Sequence, residues 1–122
     1  MPWTREGVKR MQFLVTGEFD MSRIPNDPEQ MAAISELVTI PSLEMVAAWE
    51  KEGRVLAGGI HAGSSKTAYI VEATSIEELS DLLQSMPAWT FMTMDATPLE
   101  STEHRISQVK ARVERLKVLT HH

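Results

Sequence analysis

The run Met11–Phe19, MQFLVTGEF, is dense in β-branched and aromatic residues and predicts a strand with at least one buried face. Turn residues follow, and Asp27-Pro28-Glu29-Gln30 then offers an N-cap, a proline at the first helical position and an N3 glutamine, so a helix starts there. Met31, Ile34, Leu37, Val38, Met45, Val46 and Trp49 recur mostly at three- and four-residue spacing and carry that helix to Gly53, the residue best able to close it in a left-handed conformation. Pro41 lies inside the run. Proline removes a backbone donor and crowds the preceding turn, which predicts a kink near Thr39–Pro41 or two consecutive helices.

Val55–Ile60 reads as a glycine-loosened second strand, and Ala62-Gly63-Ser64-Ser65-Lys66 as the hairpin turn into a third, Thr67–Glu72. Thr74 and Ser75, followed by Glu77 and Glu78, give two overlapping capping registers for a second helix. Its apolar stripe is Ile76, Leu79, Leu82, Leu83 and Met86, and Pro87 stops it. Trp89–Asp95 alternates toward a fourth strand before Pro98, and a last helix from about Ser101 to Leu119 sets Ile106, Val109, Val113 and Leu116 against a charged face.

The order is β-α-β-β-α-β plus a helix: an α+β, ferredoxin-like arrangement with two helices on one side of a four-stranded antiparallel sheet. Residues 1–10 form a polar tail without regular period, 11–98 the domain, and 99–122 a C-terminal helix packed on the domain or on a partner subunit. The second face of the sheet needs cover, and the same face of another copy supplies it, so a homodimer or larger homo-oligomer is expected.

Composition narrows the function. With 43% hydrophobic and 24% charged residues, 122 residues suffice for one core without staples. The chain has no cysteine, which removes disulfides, thiolate metal sites and thiol nucleophiles and fits a cytoplasmic home. Its formal charge is −5, and the basic residues gather in the N-terminal tail (Arg5, Lys9, Arg10) and the last helix, so no nucleic acid partner is expected. No apolar run approaches the roughly 20 residues of a membrane span, so no membrane is expected either. His104 stands apart from His121 and His122, Gly58-Gly59 lacks the spacing of a phosphate or dinucleotide loop, and Ser64-Ser65-Lys66 has no strand-to-helix elbow. Neither a metal nor an organic cofactor is expected.

Glu52-Gly53-Arg54, the turn at Ala62-Gly63, the segment Ser75-Ile76-Glu77-Glu78-Leu79-Ser80-Asp81-Leu82-Leu83 and Met86-Pro87 together resemble the muconolactone delta-isomerase family over roughly residues 11–98. The resemblance implies a dimeric α/β-barrel, ring-like oligomers of ferredoxin-like subunits, and a proton shift in an unsaturated lactone without metal or organic cofactor. The sequence departs from that family at Pro41, at Ala57-Gly58-Gly59 and in its charged C-terminal helix. No catalytic residue is carried over from the resemblance.

A proton shift beside a carbonyl needs a group that removes a proton and one that returns it. His61, ending the second strand, suits that exchange at neutral pH, or is an exposed histidine beside a glycine-rich turn. Glu18 and Glu72, at strand ends, serve if half-buried, and are otherwise solvated carboxylates. Tyr69, the only tyrosine, orients a carbonyl if it faces a cavity and otherwise packs with a satisfied hydroxyl. Trp49, Trp89, Phe91, Met92 and Met94 either line a pocket for a small, flat apolar compound or belong to core and interface.

The leading expectation is a cofactor-independent isomerase, or related lyase or cyclase, acting on a small ring-containing acid, lactone or polyketide-like compound. The alternatives are a non-catalytic oligomeric module that binds a small ligand or a protein, and a cofactor-free monooxygenase of the same fold.

Overall fold

The computed structural model describes residues 10–120; the tail up to residue 9, including Trp3, and His121–His122 lie outside the described residues. Four strands, β1 (Met11–Phe19), β2 (Val55–Ile60), β3 (Lys66–Ala73) and β4 (Met92–Leu99), form one antiparallel sheet in the order β2-β3-β1-β4. Between β1 and β2 run α1 (Pro28–Ile34) and α2 (Ile40–Glu52), between β3 and β4 lies α3 (Ile76–Gln84), and α4 (Thr102–Thr120) follows β4. This is the α+β, ferredoxin-like architecture that the element order predicts.

Around Pro41 the helical backbone continues, with two α segments joined by a turn of different pitch. Residues Ser35–Thr39 form a π turn that joins α1 to α2 in one helix from Pro28 to Glu52, with the Ile40 N–H donating to the Ser35 carbonyl. A proline at position 41 has no N–H for the carbonyl of residue 37, and its ring crowds that carbonyl. The wider turn just before it relieves the crowding without breaking the helix. At the far end Gly53 takes φ 83°, the left-handed closure expected of it.

That helix also revises the expectation about apolar runs: by length and composition, Pro28–Glu52 is apolar enough to cross a membrane. Here it lies across the sheet, burying Ser42 and Trp49, while Met31, Leu37 and Ile40, which lie on or beside the stripe its spacing assigned inward, are exposed. The core joins Phe13, Val15, Val55, Val71 and Ala73 from the sheet to Trp49, Leu79, Leu83 and Met86 from the helical layer.

The fourth strand begins later than the alternation suggested. Pro87–Phe91 is a 3-10 turn and β4 starts only at Met92, running through Pro98 to Leu99. Because β4 pairs with β1 alone, it is an edge strand, where a residue without an N–H is tolerated.

Helix α3 starts as its capping boxes direct. Ser75 Oγ accepts from the Glu78 N–H at 3.0 Å, and the Thr74 hydroxyl reaches back to the Glu78 carboxylate. Ser75→Ala is expected to cost about 1 kcal/mol, read as a shift in the urea midpoint at unchanged slope.

Candidate active site

Strand alternation sorts the sheet into two faces. Phe13, Val15, Gly17 and Phe19 of β1 share one face with Thr67, Tyr69 and Val71 of β3 and Met92 and Met94 of β4, since register pairs Phe13 with Val71, Val15 with Tyr69 and Gly17 with both Thr67 and Met94. The helical layer covers this face but does not fill it. A cavity of about 250 Å³ remains between Val15, Phe19, Tyr69, Val71, Met92 and Met94 below and Leu43, Val46 and Trp49 of α2 above, with Leu83, Met86 and Ala88 at one side.

Two glycines shape it. A Cβ on Gly17 would sit 2.9 Å from Met92 Cε and 3.1 Å from Thr67 Oγ1, so the absence of a side chain leaves room for the methionines to lie over β1. Gly58 has φ +117°, and a Cβ there would stand 2.2 Å from the Ala68 carbonyl oxygen and 2.6 Å from Tyr69 Cα. The register shift between Val55 and Ala57 brings Gly58 opposite Tyr69, so this glycine fixes how closely β2 approaches the strand that carries the tyrosine.

The lining is apolar with a few hydroxyls: Thr39, Ser42, Ser64, Ser65, Thr67 and Tyr69. Ser42 Oγ accepts from the Ala88 N–H at 2.9 Å and ties α2 to the turn after α3. Tyr69 is the only ionisable side chain among the described lining residues. Burial, and secondarily the Glu50 carboxylate, push its phenol above the ordinary value, so it is a neutral hydroxyl at physiological pH.

Of the four acid/base candidates only Tyr69 faces the cavity. Glu18 and Glu72 occupy the alternate positions of β1 and β3 and lie on the sheet's opposite face. There Glu72 pairs with Arg10 at 2.9 Å, and Glu18 is exposed. Alternation sets both carboxylates out of phase with Phe13, Val15, Tyr69 and Val71, but Leu14 and Ile70 make the other face apolar too, so which face carries the cavity is not read from the sequence. His61 is exposed at the β2–β3 turn, which its backbone closes by donating to the Lys66 carbonyl at 2.9 Å and accepting from the Ser64 N–H at 3.2 Å. Ser64 and Ser65 of that turn border the cavity, and His61 itself is not among the lining residues.

Trp49, Met92 and Met94 line the space. Trp89 packs against the core instead, and Phe91 stacks on Phe19 with ring centroids 6.3 Å apart, one layer behind the wall. Thr39, Ser42, Leu43 and Thr67 are lining residues that sequence reading missed. Their positions depend on the π turn and on the pairing of β1 with β3, neither of which a local pattern reports. Among the described residues no three His, Asp or Glu side chains come together to hold a metal ion.

A family model for muconolactone delta-isomerase matches residues 11–105. The fold is similar to the crystal structure of muconolactone isomerase at 3.3 Å resolution, with a TM-score of 0.61, 22% identity, 75% of this chain covered and 90% of that one. No curated protein matches the chain.

Proposed function

Since the chain belongs to the muconolactone delta-isomerase family, we propose that it is an isomerase that shifts a proton within a small ring-bearing, lactone-like compound held in the cavity between the sheet and α2. The observation that carries this reading is the neutral phenol of Tyr69, the one ionisable group among the described lining residues. A phenol held protonated donates a hydrogen bond to a ring carbonyl and stabilises the charge that gathers on its oxygen when the adjacent carbon loses a proton. The proton leaves one ring carbon and returns to another, so nothing is oxidised and no co-reactant is consumed. The base in this reading is His61, which lies outside the cavity and reaches it when the β2–β3 turn, whose Ser64 and Ser65 border the space, swings inward.

The same lining selects among substrate classes. Among the described residues it contains no lysine, arginine or histidine, and an ionised carboxylate taken from water without a counter-charge loses several kcal/mol. The substrate is therefore the lactone or another uncharged ring compound, with any acid group left at the mouth. Glu18 and Glu72 have no part in this cavity. As in the ferredoxin-like dimers that the family implies, the sheet's open face meets a second copy.

The test is turnover of a panel of unsaturated lactones. Leu43→Trp, which fills the cavity from its rim, is expected to abolish turnover, and His61→Ala to lower it at least about tenfold, while Glu18→Gln and Glu72→Gln retain the parental rate. Parental turnover in Leu43→Trp would overturn the reading. A second reading, ligand binding without chemistry, is favoured by the absence of any carboxylate or imidazole among the described lining residues. Saturable binding that Leu43→Trp blocks, with no turnover, identifies it.

A further inference from the structure

Among the described residues α4 is buried against no element of its own fold. None of its residues is buried, and Ile106, Val109, Val113 and Leu116 are exposed by 36–53%. They recur at spacings of three, four and three, a seam of two apolar positions per heptad. The family match ends at residue 105, so nearly the whole helix lies beyond it.

The charges beside the seam indicate what it meets. α4 carries Arg105, Lys110, Arg112, Arg115 and Lys117 against Glu103 and Glu114. In a parallel pair of α4 helices Arg105 would face Lys110, and Arg112 would face Lys117, across the seam, so its flanks oppose pairing with itself. The long helix Pro28–Glu52 is the complement. It bears Glu29, Glu36, Glu44, Glu50 and Glu52 against Lys51 alone. Its outer apolar side chains are more exposed than those of the open sheet face: Leu37 71% and Ile40 50%, against Leu14 37% and Leu99 40%.

We infer that α4 of one copy docks on the outer side of the Pro28–Glu52 helix of a second copy, its apolar seam against Leu37 and Ile40 and its basic flanks toward Glu29, Glu36 and Glu44. The 19 residues of α4 span about 28 Å at helical rise, shorter than the helix they meet. This contact is separate from the sheet-to-sheet interface.

Sedimentation of the full chain tests it. The triple variant Lys110→Glu, Arg112→Glu, Lys117→Glu is expected to keep its melting profile, because all three side chains are exposed, and to weaken self-association by at least about tenfold. Adding Glu29→Lys, Glu36→Lys and Glu44→Lys to the same chain is expected to restore it. Since the chain has no native cysteine, Val113→Cys with Leu37→Cys is expected to give disulfide-linked oligomers on oxidation. A parent chain that sediments as a monomer, an assembly indifferent to the triple reversal, or a loss that the second reversal does not restore would each overturn the inference. So would a monomer whose α4 binds anionic lipid vesicles.

Discussion

Gly58→Ala is expected to lower the stability of the fold by about 3–5 kcal/mol, a large part of the margin of an ordinary domain. Two costs combine. The backbone at φ +117° is one that side-chain-bearing residues avoid, and the new methyl would meet the Ala68 carbonyl oxygen at 2.2 Å and Tyr69 Cα at 2.6 Å. Both obstacles are backbone, so no rotamer change relieves them and β2 must move away from β3. Gly59 is the control next door: a Cβ there would meet no heavy atom within 4 Å, and its φ is not positive. Gly59→Ala is expected to be neutral or to stabilise by up to about 1 kcal/mol through the unfolded chain. Urea denaturation of the two variants checks the contrast, and equal effects would show that strand approach at Gly58 is not what fixes the sheet.

Tyr69→Phe is expected to reduce turnover by about a hundredfold or more while leaving the cavity and the melting temperature nearly unchanged, because it removes one hydroxyl and keeps the ring. Burial and Glu50 raise the phenol above its ordinary value of 10.0, which sets the sign of the pH dependence. The donor is intact throughout the neutral range, so the tyrosine contributes no limb to the rate profile there. The tyrosine's contribution to turnover falls only as pH climbs through the raised value, and Tyr69→Phe lacks that alkaline limb. Stability follows the same sign: the stabilising contribution of the protonated phenol is complete below the unfolded value and is lost as pH rises through the folded one. A Tyr69→Phe enzyme with the parental rate would remove the tyrosine from the mechanism.

Much of the fold is written locally. Asp27-Pro28 and Ser75-Ile76-Glu77-Glu78 cap their helices where the sequence places them. Gly53 closes α2, and the hairpin turn after His61 joins β2 to β3. These features need only neighbours a few residues away, which is why they can be read from one strip of sequence. The response to Pro41 was less legible, because a kink, a break and a π turn all relieve the same crowding.

The site was legible in part. Tyr69, Trp49, Met92 and Met94 carry their chemistry in their side chains, and each lines the cavity. Glu18 and Glu72 carry equally suitable chemistry and point away from it. The difference is one step of strand alternation, which has meaning only once the buried face is known.

Residue order alone was enough to specify the strands and helices, their succession, and therefore the ferredoxin-like sheet with its covering layer, because capping, periodicity and turn chemistry act over a few residues. Three outcomes needed the folded chain: which face Tyr69 shares, that Gly58 must meet its strand without a side chain, and that α4 stands clear of its own domain. Those outcomes depend on register and on distances between residues far apart in the chain, which no local pattern encodes.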